Sequence, residues 1–98
     1  MERVNFKELD KLQKMLDKAG ILYGRYDWES EIEGVVKFEQ HHLYSEDENK
    51  YWSVICNTYS DGSDKGLLEF WQGCGDVEGW LTAEGALKLI KEVRRNDG

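Results

Sequence analysis

The N-terminal part of the chain has the apolar pattern of an amphipathic helix. Asn5 is suited to cap the start of this helix, and Gly20 is suited to end it in a left-handed conformation. Between them, apolar residues recur at three- and four-residue steps: Phe6, Leu9, Leu12, Met15, Leu16 and Ala19. This spacing gathers the apolar side chains onto one face and predicts a first helix.

The C-terminal part of the chain repeats the helical pattern. Thr82 is a good N-cap residue, and Leu81 before it can pack against Ala86 as a hydrophobic staple. Arg94 and Arg95 lie where positive charge favours the helix dipole. The apolar face comprises Ala83, Ala86, Leu87, Ile90 and Val93. A second helix is therefore predicted after Thr82.

The chain between the two helical patterns is typical of β-strands. A first strand is predicted to begin near Ile21, where aromatic and β-branched residues cluster. The clearest strand covers 51–58, and a turn at 61–66 leads from it to a strand at 67–71. These two strands are expected to form an antiparallel hairpin. Two polar or glycine-rich segments, 39–50 and 72–79, are predicted to be loops, the former an acidic insert.

This order of elements predicts an α+β fold: a helix, three to four antiparallel strands and a second helix, with both helices packed on one face of the sheet. A length of 98 residues suits a single domain over 1–98, because two separate cores would each be too small. No apolar run is long enough to cross a membrane, and the first residues lack a signal-peptide pattern. A cytoplasmic protein is expected.

Tryptophan is frequent for a chain of this length, with four residues. Trp52 and Trp71 lie inside predicted strands and are assigned to the core. Trp28 lies within an acidic segment, and Trp80 lies just before a helix cap. Because large aromatic side chains often anchor interfaces, we expect Trp28 to be exposed and to contact a partner.

Acidic residues are concentrated in the middle of the chain. The net charge is −7, and residues 27–50 contribute −6 of it through eight acids and two bases. The acids at 27–33 occupy every second position, which in a strand places them on one face about 6.6 to 7 Å apart. Such a line of charge would imitate a phosphate backbone. The alternative is a solvated strand face that protects a sheet edge from aggregation.

This charge distribution disfavours direct binding to nucleic acid, which requires clustered Lys and Arg, and favours a protein partner with a basic surface. The residues predicted to bind that partner are Asp27, Trp28, Glu29, Glu31, Glu33, Glu46, Asp47 and Glu48. The main alternative is a homodimer that pairs through Trp28 and a sheet edge.

Candidate catalytic and metal-binding residues are few. His41 and His42 are adjacent to each other, which suits opposite faces of a strand or a loop, and they lack metal-ligand spacing. Cys56 alternates with apolar residues and is expected in the core. Cys74, flanked by glycines and close to Asp76, supports the alternative of a small cysteine-dependent enzyme. We predict no catalytic residue, no metal and no cofactor.

Three short motifs are similar to a known group of proteins. They are Ser-Val-Ile-Cys at 53–56, Gly-Leu-Leu-Glu at 66–69, and the segment 76–84 with its Glu-Gly-Trp-Leu-Thr helix start. In these motifs the chain resembles small uncharacterised proteins encoded in prophages and mobile elements of Gram-positive bacteria, although its acidic insert is unusually long. The resemblance implies a phage-type origin and a fold of this kind. From the acidic segment at 27–50 and the line of four carboxylates at 27–33, rather than from the resemblance, we expect a non-enzymatic accessory protein that binds a protein partner and inhibits a host defence nuclease by occluding a basic nucleic-acid-binding surface.

Overall fold

The computed structural model describes residues 6–47, 50–57, 67–73 and 76–95. They form two helices and five strands. In chain order the elements are α1 Lys7–Ala19, β1 Tyr23–Ile32, β2 Val35–Ser45, β3 Ser53–Asn57, β4 Leu68–Trp71, β5 Glu78–Leu81 and α2 Ala83–Arg95. The predicted α+β order of helix, strands and helix is confirmed.

The strands form one antiparallel sheet in which each strand pairs with its neighbours in sequence, in the order β1-β2-β3-β4-β5. The register aligns Arg25, Leu43, Val54 and Phe70 in one row across the first four strands. The next row on the other side of the sheet contains Gly24, Tyr44, Ser53 and Trp71. Because neighbouring residues in a strand point to opposite faces, the two rows belong to opposite faces of the sheet.

The hydrophobic core lies between the two helices and one face of the sheet. The buried side chains come from both layers: Leu9, Leu12, Leu16, Ile21, Leu43, Trp52, Val54, Cys56, Leu68, Phe70, Ala83, Ala86 and Ile90. Trp52 and Cys56 are in the core as predicted. The assignment of Trp71 to the core is wrong, since its side chain is 39% exposed. Phe70 occupies the core-facing position of β4, and alternation turns Trp71 to the other face.

The two helices are joined by polar contacts as well as by the core. Glu8 of α1 accepts a hydrogen bond of 2.8 Å from the backbone N–H of Ala83, at the first turn of α2. Lys11 of α1 forms an ion pair with Glu84 of α2. The hydroxyl of Thr82 accepts from the N–H of Gly85, so the predicted cap is present. These contacts hold the start of α2 against α1.

Both ends of α1 were predicted from single residues. Gly20 adopts a left-handed conformation with φ 71°, as expected for a residue that ends a helix. The next N–H, that of Ile21, donates back to the carbonyl of Leu16. Ile21 therefore completes the end of the helix, and β1 begins at Tyr23 rather than near Ile21. Asn5, the predicted N-cap, lies outside the described residues.

Two predicted loops are partly strand. The segment 39–50 was expected to be an acidic insert, but β2 continues through it to Ser45. Its residues are polar because this part of β2 carries a buried polar cluster and a half-exposed sheet face. Within the segment predicted as the loop 72–79, β5 begins at Glu78 and adds a fifth strand. The predicted turn at 61–66 lies outside the described residues.

Within the described part of the chain, neither helix is long and apolar enough to cross a membrane.

Candidate functional site

The β1–β2 hairpin carries most of the residues predicted to bind a partner. Residues 33–34 form its turn, in which Glu33 has φ 55° and Gly34 has φ 79°. Ser30 pairs with Phe38 but Glu31 pairs with Val36, so β2 has one extra residue and a bulge near the turn. The molecule is elongated, 49 Å along its longest axis. A hairpin of ten- and eleven-residue strands is long relative to the helices that cover it.

Alternation along β1 separates its side chains into two rows. One row contains Arg25, Asp27 and Glu29 and lies on the side of the helices, as the contacts of Arg25 with α1 show. The other row contains Tyr26 and Trp28, which are 55% and 45% exposed. The predicted exposure of Trp28 is confirmed. The indole and the carboxylates nevertheless point to opposite faces of the strand, so they do not form one contiguous patch.

Arg25 connects the hairpin to the first helix. Its Nη1 donates to Oδ1 of Asp10 and to Oε1 of Gln13, both at 2.7 Å, and its Nε donates to Oδ1 of Asp27 at 3.1 Å. Burial disfavours the charged form of this side chain, but the hydrogen bonds to Asp10 and Asp27 outweigh burial and raise the pKa of Arg25. Arg25 is therefore a fixed positive charge that orients Asp27.

His41 is held between two carboxylates on the same side of the sheet. Its Nδ1 lies 3.0 Å from Oδ1 of Asp27, and its Nε2 lies 2.6 Å from Oε1 of Glu39, which is buried. The ring of Phe6 stacks on the imidazole with centroids 4.4 Å apart. Each ring nitrogen therefore lies within hydrogen-bonding distance of one carboxylate. Asp27, Glu39 and His41 form a polar cluster that joins β1 to β2.

This cluster does not resemble a metal centre. A cavity of about 220 Å³ opens beside it and is lined by Asp27, Trp28, Glu29, Glu39 and His41. Both nitrogens of His41 already contact carboxylates, so neither is directed at the cavity as a metal ligand. Among the residues that the structure describes, no group of three or more His, Cys, Asp or Glu side chains could hold a metal ion.

His41 and His42 do not lie in a loop, although the segment 39–50 was predicted to be one. Both lie in β2, where His41 is buried and His42 is half-buried. As alternation predicts, they point to opposite faces. Nε2 of His42 lies 2.8 Å from the hydroxyl of Ser53, and its ring contacts that of Tyr44 at 5.3 Å. Burial lowers the pKa of His42, which favours its neutral form.

The eight predicted partner-binding residues do not share one surface. Asp27, Glu29 and Glu31 are exposed along β1, while Glu33 leaves the strand and lies in the turn, so the expectation of four carboxylates on one strand face is wrong for Glu33. The exposed Glu46 and the half-buried Asp47 follow the other end of β2. That strand has eleven residues, which places its ends about 33 Å apart. Glu48 and Cys74 lie outside the described residues.

The face of the sheet turned away from the helices is rich in aromatic side chains, and we call it the open face. Its described members include Tyr26, Trp28, Gln40, His42, Tyr44, Ile55, Glu69 and Trp71, which are exposed or half-buried, and Ser53, which is buried. The ring of Tyr44 lies over Gly24 on the neighbouring strand, where an added Cβ would overlap its atoms. Tyr51 contacts Trp71 edge-on at 6.1 Å and extends the aromatic surface.

The fold also separates charge between its two layers. The helices α1 and α2 together hold eight Lys and Arg against five Asp and Glu, a net charge of +3. Residues 20–82, which contain all five strands, hold thirteen acids against four bases, a net charge of −9. Of these, the described residues hold ten acids against three bases, so the described part of the protein has a basic helical layer and an acidic sheet layer, which comprises the strands and the loops that adjoin them.

Sequence reasoning missed the cluster of Asp27, Glu39 and His41 and missed the open face. One signal could have revealed both. A ten-residue strand followed by a turn at Gly34 requires an equally long partner, and pairing 23–32 with 35–45 brings residues 27, 39 and 41 together.

No family model, curated protein or solved structure matches the chain.

Proposed function

We propose that this protein binds a basic surface of another protein through its acidic sheet layer. The observation that carries the proposal is the separation of charge: −9 in residues 20–82 against +3 in the helices. A polarised molecule approaches a cationic surface with its acidic side first, which raises the association rate and selects the orientation of docking. The exposed carboxylates of Asp27, Glu29 and Glu31 lie along β1, at one edge of the sheet.

The basic surface proposed is one that otherwise binds nucleic acid. Carboxylates at alternate positions of β1 repeat about every 6.6 to 7 Å, close to the spacing of phosphates along a nucleic-acid strand. Occupying such a surface would exclude the nucleic acid by competition. Together with the likeness to prophage proteins, this supports a role as a phage-type inhibitor of a host defence nuclease.

A homodimer is less well supported than a heterologous partner. Two copies that paired antiparallel along β1 would place Asp27, Glu29 and Glu31 of both chains beside each other, and like charges directly opposite destabilise a strand pair. Light scattering over a range of protein concentrations separates the alternatives. A tight dimer at all concentrations would favour self-association over the proposed function.

The central experiment compares two charge variants that remove the same number of acids. Glu29→Gln with Glu31→Gln removes two exposed acids from β1, and Glu84→Gln with Glu92→Gln removes two exposed acids from α2. The unmodified protein is used to capture partners from a bacterial lysate at low salt. Partners that double-stranded DNA displaces from it are purified, and their association rates with each variant are measured. We expect the β1 variant to associate about tenfold more slowly at low salt, with a smaller difference at high salt, and the α2 variant to be nearly unchanged. Equal rates for both variants would contradict the proposal.

A further inference from the structure

The open face combines aromatic rings with almost no formal charge. Glu69 is its only ionisable carboxylate among the described side chains, and none of them is Lys or Arg. Burial lowers the pKa of His42, so this side chain adds no positive charge near neutral pH. Tyr26, Trp28 and Trp71 are each more than a third exposed. Large aromatic surfaces of this kind are costly to leave in water and are typical of binding sites.

The sign of the surrounding charge identifies which ligands suit these rings. Sheet faces that stack the bases of single-stranded nucleic acid combine their aromatic residues with a basic groove that follows the phosphates. On the open face, Glu69 supplies the one formal charge among the described side chains, while the Lys and Arg residues of the helices lie on the other side of the sheet. A ligand that offers cations to the rings is therefore favoured over one that offers phosphates.

We propose that the open face binds an extended, arginine-rich segment of a protein partner, with guanidinium groups stacked on the rings of Tyr26, Trp28 and Trp71. This rests on the proposed function, which it deepens by naming the chemistry of the partner and the face that receives it. Arginine is preferred to lysine because its planar, weakly hydrated guanidinium stacks on aromatic faces, whereas the ammonium group of lysine is strongly hydrated.

The spacing of the rings restricts the segment. Tyr26 and Trp28 are two residues apart on one strand, about 6.6 to 7 Å, and both lie on the same face. Trp71 is on β4, three strand positions from β1, a distance of about 14 Å across the sheet. An extended peptide covers that distance in four or five residues. Arginines about four residues apart can therefore contact the β1 and β4 rings together when the segment crosses the strands.

The test uses fluorescently labelled peptides of about twelve residues, in which arginine recurs every fourth position among Ser and Gly. A second peptide replaces each Arg by Lys, and a labelled oligothymidylate serves as the phosphate probe. Affinities are measured by fluorescence anisotropy at low salt for the unmodified protein, for Tyr26→Ala with Trp28→Leu, and for the control Leu22→Ala. Leu22 is 70% exposed and precedes β1, so the control removes exposed apolar surface outside the open face. Circular dichroism verifies that each variant is folded.

We expect the arginine peptide to bind about fivefold more tightly than the lysine peptide, and the Tyr26/Trp28 variant to lose about tenfold in affinity for it. Leu22→Ala should bind as the unmodified protein does. Loss of binding on Glu29→Gln with Glu31→Gln, but not on the aromatic changes, would overturn the open-face proposal and leave the proposed function standing. If neither peptide binds, the result contradicts both the open-face proposal and the proposed function. Tighter binding of oligothymidylate, or a dimer that buries Trp28, would also overturn the inference.

Discussion

The two faces of the sheet are formed by the same strands but carry different kinds of side chain. On the face covered by the helices, Leu43, Val54 and Phe70 form a continuous row in the core. On the open face, the adjacent positions hold Tyr44, Ser53 and Trp71. Leu, Val and Phe side chains have no polar atom and pack densely away from water, whereas Tyr and Trp keep a polar atom that tolerates partial exposure. The comparison shows that the helix-covered face supplies stability and that the open face is available for contact.

The largest expected effect comes from the buried polar cluster on the helix-covered side. His41→Leu would leave the buried carboxyl group of Glu39 without the imidazole nitrogen that it contacts at 2.6 Å. We expect the free energy of unfolding to fall by about 3–5 kcal/mol, measured by urea denaturation. Adding Glu39→Leu should restore much of this loss, because an apolar pair of similar volume needs no compensating charge. A single variant as stable as the unmodified protein would show that the contact between His41 and Glu39 does not stabilise the fold.

A direct comparison of the faces uses one residue from each. Leu43→Ala removes a fully buried side chain and should cost about 3 kcal/mol, within the range for buried leucines. Tyr26→Ala removes a larger side chain, but one that is 55% exposed, and should cost about 1 kcal/mol or less. Urea denaturation of both variants measures the two losses. Equal losses would mean that the open face contributes as much to folding as the core does.

The smallest effect is a pH dependence from the open face. The pKa of His42 is lowered by burial below its ordinary 6.5, so the folded state favours the neutral ring. The resulting stability is fully present above pH 6.5 and is lost as pH falls through the folded pKa of His42. His42→Gln should therefore flatten the decline in stability below pH 6.5, as measured by thermal unfolding at successive pH values. Parallel curves for the two proteins would assign the decline to other groups.

The helices could be predicted from the sequence because their signals are local. Gly20 ends α1 and Thr82 caps α2 through bonds within a few residues of each position. The alternation of acids at 27–31 likewise predicted an extended strand. The polar residues of β2 indicated a loop instead of a strand. Glu39 and His41 are buried together because they contact each other and because Asp27 and Phe6 contact His41. Local composition cannot reveal a polar residue that is satisfied by a distant one.

Trp28 and Trp71 show the same limit of local sequence signals. Exposure of Trp28 was predictable from its acidic neighbours, and alternation within a strand already turns the indole to the face opposite the carboxylates. Which of these two faces the helices cover required the tertiary structure. Trp71 was misassigned because either face of β4 could have met the helices. Only the packing of Phe70 against the core decides that Trp71 faces outward.

By itself the sequence determined the order of helices and strands, the net negative charge and the abundance of tryptophan. These properties follow from residue identity and from periodicities of two and 3.6, which require no knowledge of distant contacts. The tertiary structure decided which face of the sheet the helices cover. Together with the strand register, that choice enclosed His41 between two carboxylates and gathered aromatic rings from three strands onto the uncovered face. Each of these results depends on residues brought together by strand register and layer packing, which are set by the whole chain at once.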